Sequence, residues 1–290
     1  QQKKAKPVAR KNAKPAAAAQ MTAKQHEIFS NMLPNTQKIF VVDSTVVDKD
    51  SVLEAIPLSP KYGKFVSYNS FFDTDTQPNQ YVFINGFANK CYYTEVAGIS
   101  EIDKKLTDMS YPFLSSDGQT LYIAGKSNDA LGKRDIYVAK YNADEGTYFE
   151  PENIGLPFNS HDDDFVYVEA DAERFAWFAT TRRQPAGKAC VYAFVLPEQR
   201  TNYDMDDMTD AQIESRAALM RIRETWPTPE IRKGALKKLN AIKKETASRV
   251  VNDEKVNFVV NDDLVYTDIN SFRSNSTRQM YFEVVRLRND

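Results

Sequence analysis

A turn flanked by two short apolar strands recurs through the middle of the chain, and this recurrence limits the possible folds more than any other feature. Its clearest copy is Tyr111 to Asn142, YPFLSSDGQTLYIAGKSNDALGKRDIYVAKYN. Ser116-Asp117-Gly118 reads as a tight turn, because Asp accepts local backbone N–H bonds and Gly tolerates positive φ. Leu121 to Ala124 reads as a strand, Asn128 to Lys133 as a polar loop carrying Gly132, and Asp135 to Ala139 as a second strand. Tyr81 to Thr94 is an earlier strand–loop–strand copy, and Asp164 to Val195 is a later one. In the later copy Phe175 to Ala179 and Cys190 to Phe194 are the strands. The copies keep register. Tyr122 and Trp177 are 55 apart, as are Ala124 and Ala179, Gly132 and Gly187, Lys133 and Lys188, and Tyr137 and Tyr192. Tyr93 precedes Tyr137 by 44. Two residues before each tyrosine stands a small or acidic one: Cys91, Asp135, Cys190. Strand pairs at such a period belong to propeller arrays rather than helical solenoids.

The flanking segments read differently. Residues 1–24 are rich in Lys, Ala and Pro and bury too little apolar surface to order alone. Their Lys3, Lys4, Lys6, Arg10, Lys11 and Lys14 suit an acidic partner or lipid headgroups; the plainer reading is a solvated tether. Thr22 to Met32 predicts a short helix capped by Thr22, with Ile28, Phe29 and Met32 as its apolar edge. Lys38 to Val47, KIFVVDSTVV, predicts a strand pair or strand–turn, and Val52 to Ser59 follows, ending at Pro57 and Pro60. Tyr148 to Ser160 is a connecting loop with a short extended piece. Beyond Pro197 the period changes. Thr209 with Gln212 forms a capping-box pattern for a helix through about Glu224. Thr228-Pro229 opens a second helix with an inward stripe of Ile231, Ala235, Leu239 and Ile242. Its other faces carry Lys and Arg without interleaved aromatics, as a solvated face does. Val256 to Phe272 returns to strand and echoes Phe40 to Asp50, so the two segments are expected to pair or to occupy equivalent places. Ser276 caps a last helix with Met280, Val284 and Leu287 inward.

The chain of 290 residues carries a formal net charge of -2 and 27% charged residues, which points to neither nucleic acid nor a membrane surface as partner. No run of ~18 apolar residues occurs, so no transmembrane helix is expected. The opening QQKKAKPVARKNAKPAAAAQ resembles a mature end left by signal cleavage, or a cut boundary; without Cys at residue 1, a lipid anchor there is not expected. Cys91 and Cys190 have no metal or redox spacing. They hold equivalent places in copies separated by a whole intervening copy, beyond the ~7 Å reach of a disulfide, so two buried free thiols are predicted.

Catalytic chemistry finds little support. His26 and His161 are the only histidines, and neither lies in a Ser/His/Asp or Cys/His pattern. His161-Asp162-Asp163-Asp164, Asp73-Thr74-Asp75 and Asp204-Met205-Asp206-Asp207 are acidic enough to attract a cation, but Asp is a routine turn residue and none has EF-hand spacing. A propeller glycosidase needs carboxylates from different sheets around a central opening. The inner strands offer Asp135 alone at matched positions, and Asp135 is expected to bond turn backbone. Tyr92, Tyr93, Tyr122, Tyr137, Trp177, Phe178, Tyr192 and Phe194 are expected to fill the space between sheets rather than form a sugar platform. No catalytic, cofactor or metal residue is therefore assigned.

Together, SYPFLSSDGQTLYIAG, LGKRDIYVAKYN, PENIGLPFNS and WFATTRRQPAGKACVYAF resemble the TolB-type, WD40-like β-propeller repeats of Bacteroidetes envelope proteins, over about Phe65 to Phe194. Ala172-Glu173 departs from the family's Asp-Gly turn, Cys190 replaces its aspartate, and the first copy lacks the Asp-Gly turn in register. The resemblance implies a secreted, periplasmic or outer-membrane-associated protein with a non-catalytic binding or scaffolding role toward other envelope proteins; a glycan-binding or glycan-cleaving propeller is the alternative. The expected architecture is mostly β: a β-propeller or propeller-like array of antiparallel sheets over 25–200, a basic tail at 1–24, a helical insertion at 201–254, and a C-terminal strand and helix docking back at 255–290.

Overall fold

A computed structural model describes residues 21–72, 75, 80–86, 91–92, 100–253, 255–261 and 264–268. The chain runs α1 (Ala23–Met32), β1 (Phe40–Asp48), β2 (Gly63–Ser67), α2 (Tyr68–Phe72), β3 (Tyr81–Asn85), β4 (Cys91–Tyr92), α3 (Ser100–Lys105), β5 (Thr107–Leu114), β6 (Thr120–Lys126) and β7 (Asp135–Asn142). It continues through β8 (Thr147–Tyr148), β9 (Glu152–Asn153), β10 (Asp164–Ala170), β11 (Phe175–Thr180), β12 (Lys188–Val195), α4 (Asp210–Ala217), α5 (Pro229–Asp253), β13 (Lys255–Asn261) and β14 (Leu264–Asp268).

The architecture is mostly antiparallel β-structure with helices. Three sheets follow one another: β2-β3-β4, then β5-β6-β7-β8 with β9 on β7, then β10-β11-β12 with β1 added at its outer edge. The repeat spacing is visible in the strand register. Tyr137 pairs with Ile123 and Tyr192 with Phe178; Asp135 pairs with Gly125 and Cys190 with Thr180. Each pair in the third sheet lies 55 residues beyond its counterpart in the second. In the first sheet Cys91 pairs with Ile84. Tyr93 falls outside the described residues.

The turn at the start of the central copy forms for the reason its sequence suggests. Asp117 accepts from the amides of Gln119 and Thr120 at 2.8 Å each and from the Thr120 hydroxyl at 2.6 Å, while Gly118 takes φ 68°. In the third sheet the corresponding turn, 171–174, is one residue shorter, and Arg174 takes the positive φ of 62°. The hairpin thus survives the loss of Asp-Gly, with a non-glycine residue in the left-handed region.

Aromatic rings fill the seams between sheets. Phe83 meets Phe113 at 5.0 Å between the first and second, and Tyr122 meets Tyr167 at 4.1 Å between the second and third. Phe158, in the connecting loop, packs against Tyr167, Phe178 and Phe194. Tyr122, Tyr137, Trp177, Phe178, Tyr192 and Phe194 are all buried, as expected of core rather than of a platform.

Several local expectations need correction. Phe40–Asp48 is one continuous strand with a bulge after Val41, not a strand pair. β1 does not pair with the segment that echoes it: β13 pairs with β14, and β1 with β12. The β1 sequence carries no mark of its partner, so similarity to a distant segment misled. The helix after Thr209 has its full capping box but stops at Ala217, where Leu219 at φ 50° turns the chain and Arg183 caps the freed carbonyls of Ala218 and Leu219. Ile231 is half exposed; the inward stripe of α5 begins at Ala235 and continues through Leu239.

The helical segment is bonded to the edge of β1. The Val41 amide donates to Thr225 Oγ1 at 3.0 Å, Trp226 Nε1 donates to the Val41 carbonyl at 2.9 Å, and Arg232 Nε donates to the Val42 carbonyl at 3.1 Å. Lys243 pairs with Asp43 at 3.1 Å. These groups occupy an edge that would otherwise invite another strand. Part of the basic face of α5 therefore serves packing. The residues expected to form the terminal helix, and 1–20 of the basic tail, lie outside the described residues; Ala23 and Lys24, assigned to the tail, open α1. No helix among the described residues is long and apolar enough to cross a membrane.

Candidate functional site

Two buried carboxylates shape the loops at one end of the sheets. Asp135, at the start of β7, accepts from the Leu131 amide at 2.8 Å, the Gly132 amide at 3.0 Å and Asn153 Nδ2 at 2.7 Å. It bonds turn backbone, as expected. Burial pushes its carboxyl up to about 7, and the neighbouring Asp164 adds to the rise. Asp164, at the start of β10, accepts from the Ser160 amide at 2.6 Å and hydroxyl at 2.8 Å and meets Arg182 at 3.0 Å. Arg182 is itself buried and also donates to the carbonyls of Pro157 and Phe158 and to Thr180 Oγ1.

These contacts bring the two loops together at Gly132. A Cβ there would lie 2.1 Å from the Asp162 carbonyl oxygen and 2.3 Å from that of Ser160, so only glycine permits the approach. Around it Lys133 N donates to Asp162 O at 2.8 Å, and Asp164 N to Arg134 O at 3.0 Å. This backbone splice fixes Arg134 opposite Asp163. The guanidinium forms a two-pronged pair with the carboxylate, Nε–Oδ1 2.8 Å and Nη2–Oδ2 2.9 Å, and its Nη1 donates to Ser110 Oγ at 2.7 Å. Lys49, just past β1, reaches the same carboxylate at 2.6 Å. Burial opposes ionisation of Asp163, yet Arg134 and then Lys49 hold its carboxyl below the usual range. One carboxylate thus ties β5, β7, β10 and the end of β1.

Above this knot lies an open cleft of about 480 Å³. Lys49 and Asp50, just past β1, and Gln80, before β3, line it. Asp108 and Tyr111 project from β5, and Lys126 from the end of β6, where it pairs with Asp108 at 2.7 Å. Lys133 and Arg134, before β7, complete the lining with Asp163. Apart from Tyr111, in mid-strand, the lining residues sit at strand ends or in the loops beside them. β5 reaches the cleft in a strained form: Asp108 has φ 49° and Tyr111 φ 52°, and its pairing with β6 slips at both places. Each left-handed non-glycine residue costs on the order of 1 kcal/mol, and such bulges re-aim side chains. Tyr111 stacks on Tyr81 at 4.9 Å and tilts against Phe165 at 5.3 Å, so its ring faces are covered. Burial raises its hydroxyl pKa, and Tyr81 adds to the rise, so the group stays a neutral phenol. A second void, about 20 Å³ beside Tyr62 and Glu173, has room for about one water.

The acidic run 162–164 has three destinations. Asp162 lies 3.5 Å from His161, Asp163 joins the cleft, and Asp164 is buried on Arg182. Asp204 accepts from the Asp206 amide in a turn. Among the described residues no group of three His, Cys, Asp or Glu is placed to hold a metal ion. Asp73 and Thr74 lie outside the described residues. Cys190 is a buried free thiol whose pKa burial raises; Cys91 sits on β4, in a different sheet. Asp135 does not face the cleft. The carboxylates that do are Asp50, Asp108 and Asp163; of these the sequence offered only Asp163, as part of an acidic run, because all three stand outside the matched strand positions. A signal was present: charged residues at 108, 133–134 and 163 fall at strand starts and those at 126 and 49–50 at strand finishes, which antiparallel pairing brings to one end of the sheets.

Comparison with protein-family models, with curated proteins and with solved structures returns no match. The cleft must therefore be judged on its chemistry. Among the described residues its lining holds no Ser, Cys or His. Asp163 is locked in ion pairs and Asp108 is paired with Lys126, which suits these groups to orienting a ligand more than to moving protons.

Proposed function

We propose that the chain is a non-catalytic scaffold or protein-binding module of the cell envelope, built as a small or partial β-propeller. The observation that carries this reading is the in-register recurrence of the second and third sheets at 55 residues, together with the completion of the last sheet by β1 from the opposite end of the repeat region. A strand supplied from the other end of an array is how a ring of sheets is fastened. The resemblance to TolB-type repeats of the Bacteroidetes envelope supplies the location: periplasmic, or associated with the outer membrane through protein partners.

The test is cross-linking in intact source cells, followed by envelope fractionation and identification of proteins bonded to the chain, with and without residues 1–24. The reading expects recovery with envelope components and a partner set that shrinks when the tail is removed. Recovery as an uncross-linked cytosolic monomer would refute it. The glycan-binding alternative is favoured by a separate observation, the polar cleft at the strand ends.

A further inference from the structure

The cleft is charged unevenly. Lys49, Lys126, Lys133 and Arg134 face Asp50, Asp108 and Asp163, four cations against three carboxylates, so the lining carries an excess of one positive charge. The excess is local. Asp163 serves both Arg134 and Lys49, Asp108 neutralises Lys126, and the Lys133 ammonium has no hydrogen-bond or ion-pair partner among the described residues. Asp50, in the same lining, is likewise without a side-chain partner among the described residues, and is close enough to Tyr81 and Tyr111 to raise both hydroxyls. A free ammonium and a free carboxylate thus border one opening, joined by the Tyr111 phenol and the paired groups of the floor.

Each feature narrows the ligand. The net charge calls for a monoanion, seated on the Lys133, Arg134 and Lys49 side. An unpaired carboxylate such as Asp50 calls for neutral hydroxyl donors. The covered faces of Tyr111 offer no platform for a flat aromatic ligand. A volume of about 480 Å³ suits a small molecule. The two left-handed residues of β5 give a second, independent pointer, because they place Asp108 and Tyr111 at this opening against a conformational cost.

We propose that the cleft binds a small polyhydroxylated monocarboxylate, a sugar acid, with its carboxylate on Lys133 and the Arg134–Lys49 knot and its hydroxyls on Asp50 and the Tyr111 phenol. This site goes beyond the scaffold role and does not depend on it, since the assay uses the purified full chain with no partner. Isothermal titration at low salt would compare glucuronate with glucose, acetate and glucose 1-phosphate, against the parent chain, Lys133→Ala, Asp50→Ala and, as a distant control, Lys237→Ala.

The expected result is binding of glucuronate at least tenfold tighter than glucose or acetate, weakening as salt rises. Lys133→Ala should weaken it about tenfold, as loss of a charged hydrogen bond does. Asp50→Ala should weaken it less, and Lys237→Ala should leave it unchanged. Equal binding of glucose and glucuronate, binding of neither, binding of glucose 1-phosphate alone, or an unchanged affinity in a Lys133→Ala protein that melts like the parent would each overturn the assignment.

Discussion

Replacing Arg182 by Met tests how the loops under the cleft are held. The side chain is 1% exposed and lies 3.0 Å from an Asp164 carboxylate that is fully buried. It also donates to Pro157 O at 2.8 Å, to Phe158 O and to Thr180 Oγ1 at 3.1 Å. Methionine roughly keeps the volume but removes the cation and these donors. Breaking a buried pair from one side costs about 3–5 kcal/mol, because the partner is left charged and uncompensated. Asp164 keeps the Ser160 amide and hydroxyl, which favours the lower half of that range. At about 2–4 °C per kcal/mol for a chain of this size, the melting midpoint should fall roughly 6–16 °C.

Urea unfolding of Arg182→Met at neutral pH, followed by tryptophan fluorescence, measures the loss. The variant should also change its pH response. Burial already raises the Asp164 carboxyl while Arg182 pulls it down. Without Arg182 it rises further above its unfolded value. Protonation then favours the folded state, so the variant should regain stability as pH falls toward about 4 and lose it as pH rises through the raised folded value. Adding Asp164→Asn should recover part of the loss, giving a coupling above about 1 kcal/mol in the double-mutant cycle. A single-variant loss below about 1 kcal/mol, with a pH-independent difference from the parent, would show that the pair does not hold these loops.

Asp135 offers a second pH test: with a folded value of about 7 against an ordinary 3.8, its contribution is fully present below about 4 and lost as pH rises through 7. The cost of Asp135→Asn, from urea unfolding, should therefore shrink from pH 4 to pH 8, by at most about 4 kcal/mol at 1.36 per pH unit; a cost flat across that range would contradict the burial argument. Gly132→Ala should destabilise by about 1–3 kcal/mol, since its Cβ meets backbone oxygens rather than a movable side chain, and exchange of the Lys133 and Asp164 amides should speed up. Thr225→Val should cost about 1–3 kcal/mol in chemical denaturation by leaving the buried Val41 amide unsatisfied. Cys190 should resist iodoacetamide in the native protein and react once it is unfolded, as peptide mapping by mass spectrometry would show.

Local chemistry was legible in the sequence and distant pairing was not. The Ser116-Asp117-Gly118 turn, the cap at Thr22, the capping box at Thr209 and the Pro229 helix start all depend on neighbours within four residues, and all formed as read. The Tyr137–Tyr192 spacing carried over into register because hairpins preserve sequence offsets. The partner of β1 was hidden, since its β-branched residues suit any edge equally. The early stop of α4 depends on Arg183, 35 residues from the carbonyl it caps. The cleft escaped notice for the same reason. Lys49, Asp108, Lys126, Arg134 and Asp163 meet only because antiparallel pairing gathers the starts of some strands and the finishes of others at one end, and composition cannot register that.

The pairing of β1 with β12 makes assembly wait on its oldest piece. Asp48 and Lys188 stand 140 residues apart, so during synthesis the first strand emerges long before the edge it must join exists. Until then a β-branched ribbon stays open to any passing edge, including one on a sister chain, and closing so long a span makes maturation slow. Transplanting 40–48 to follow Val195 would turn this late fastening into a neighbourly hairpin, and the order of events, not the finished shape, would be what changes.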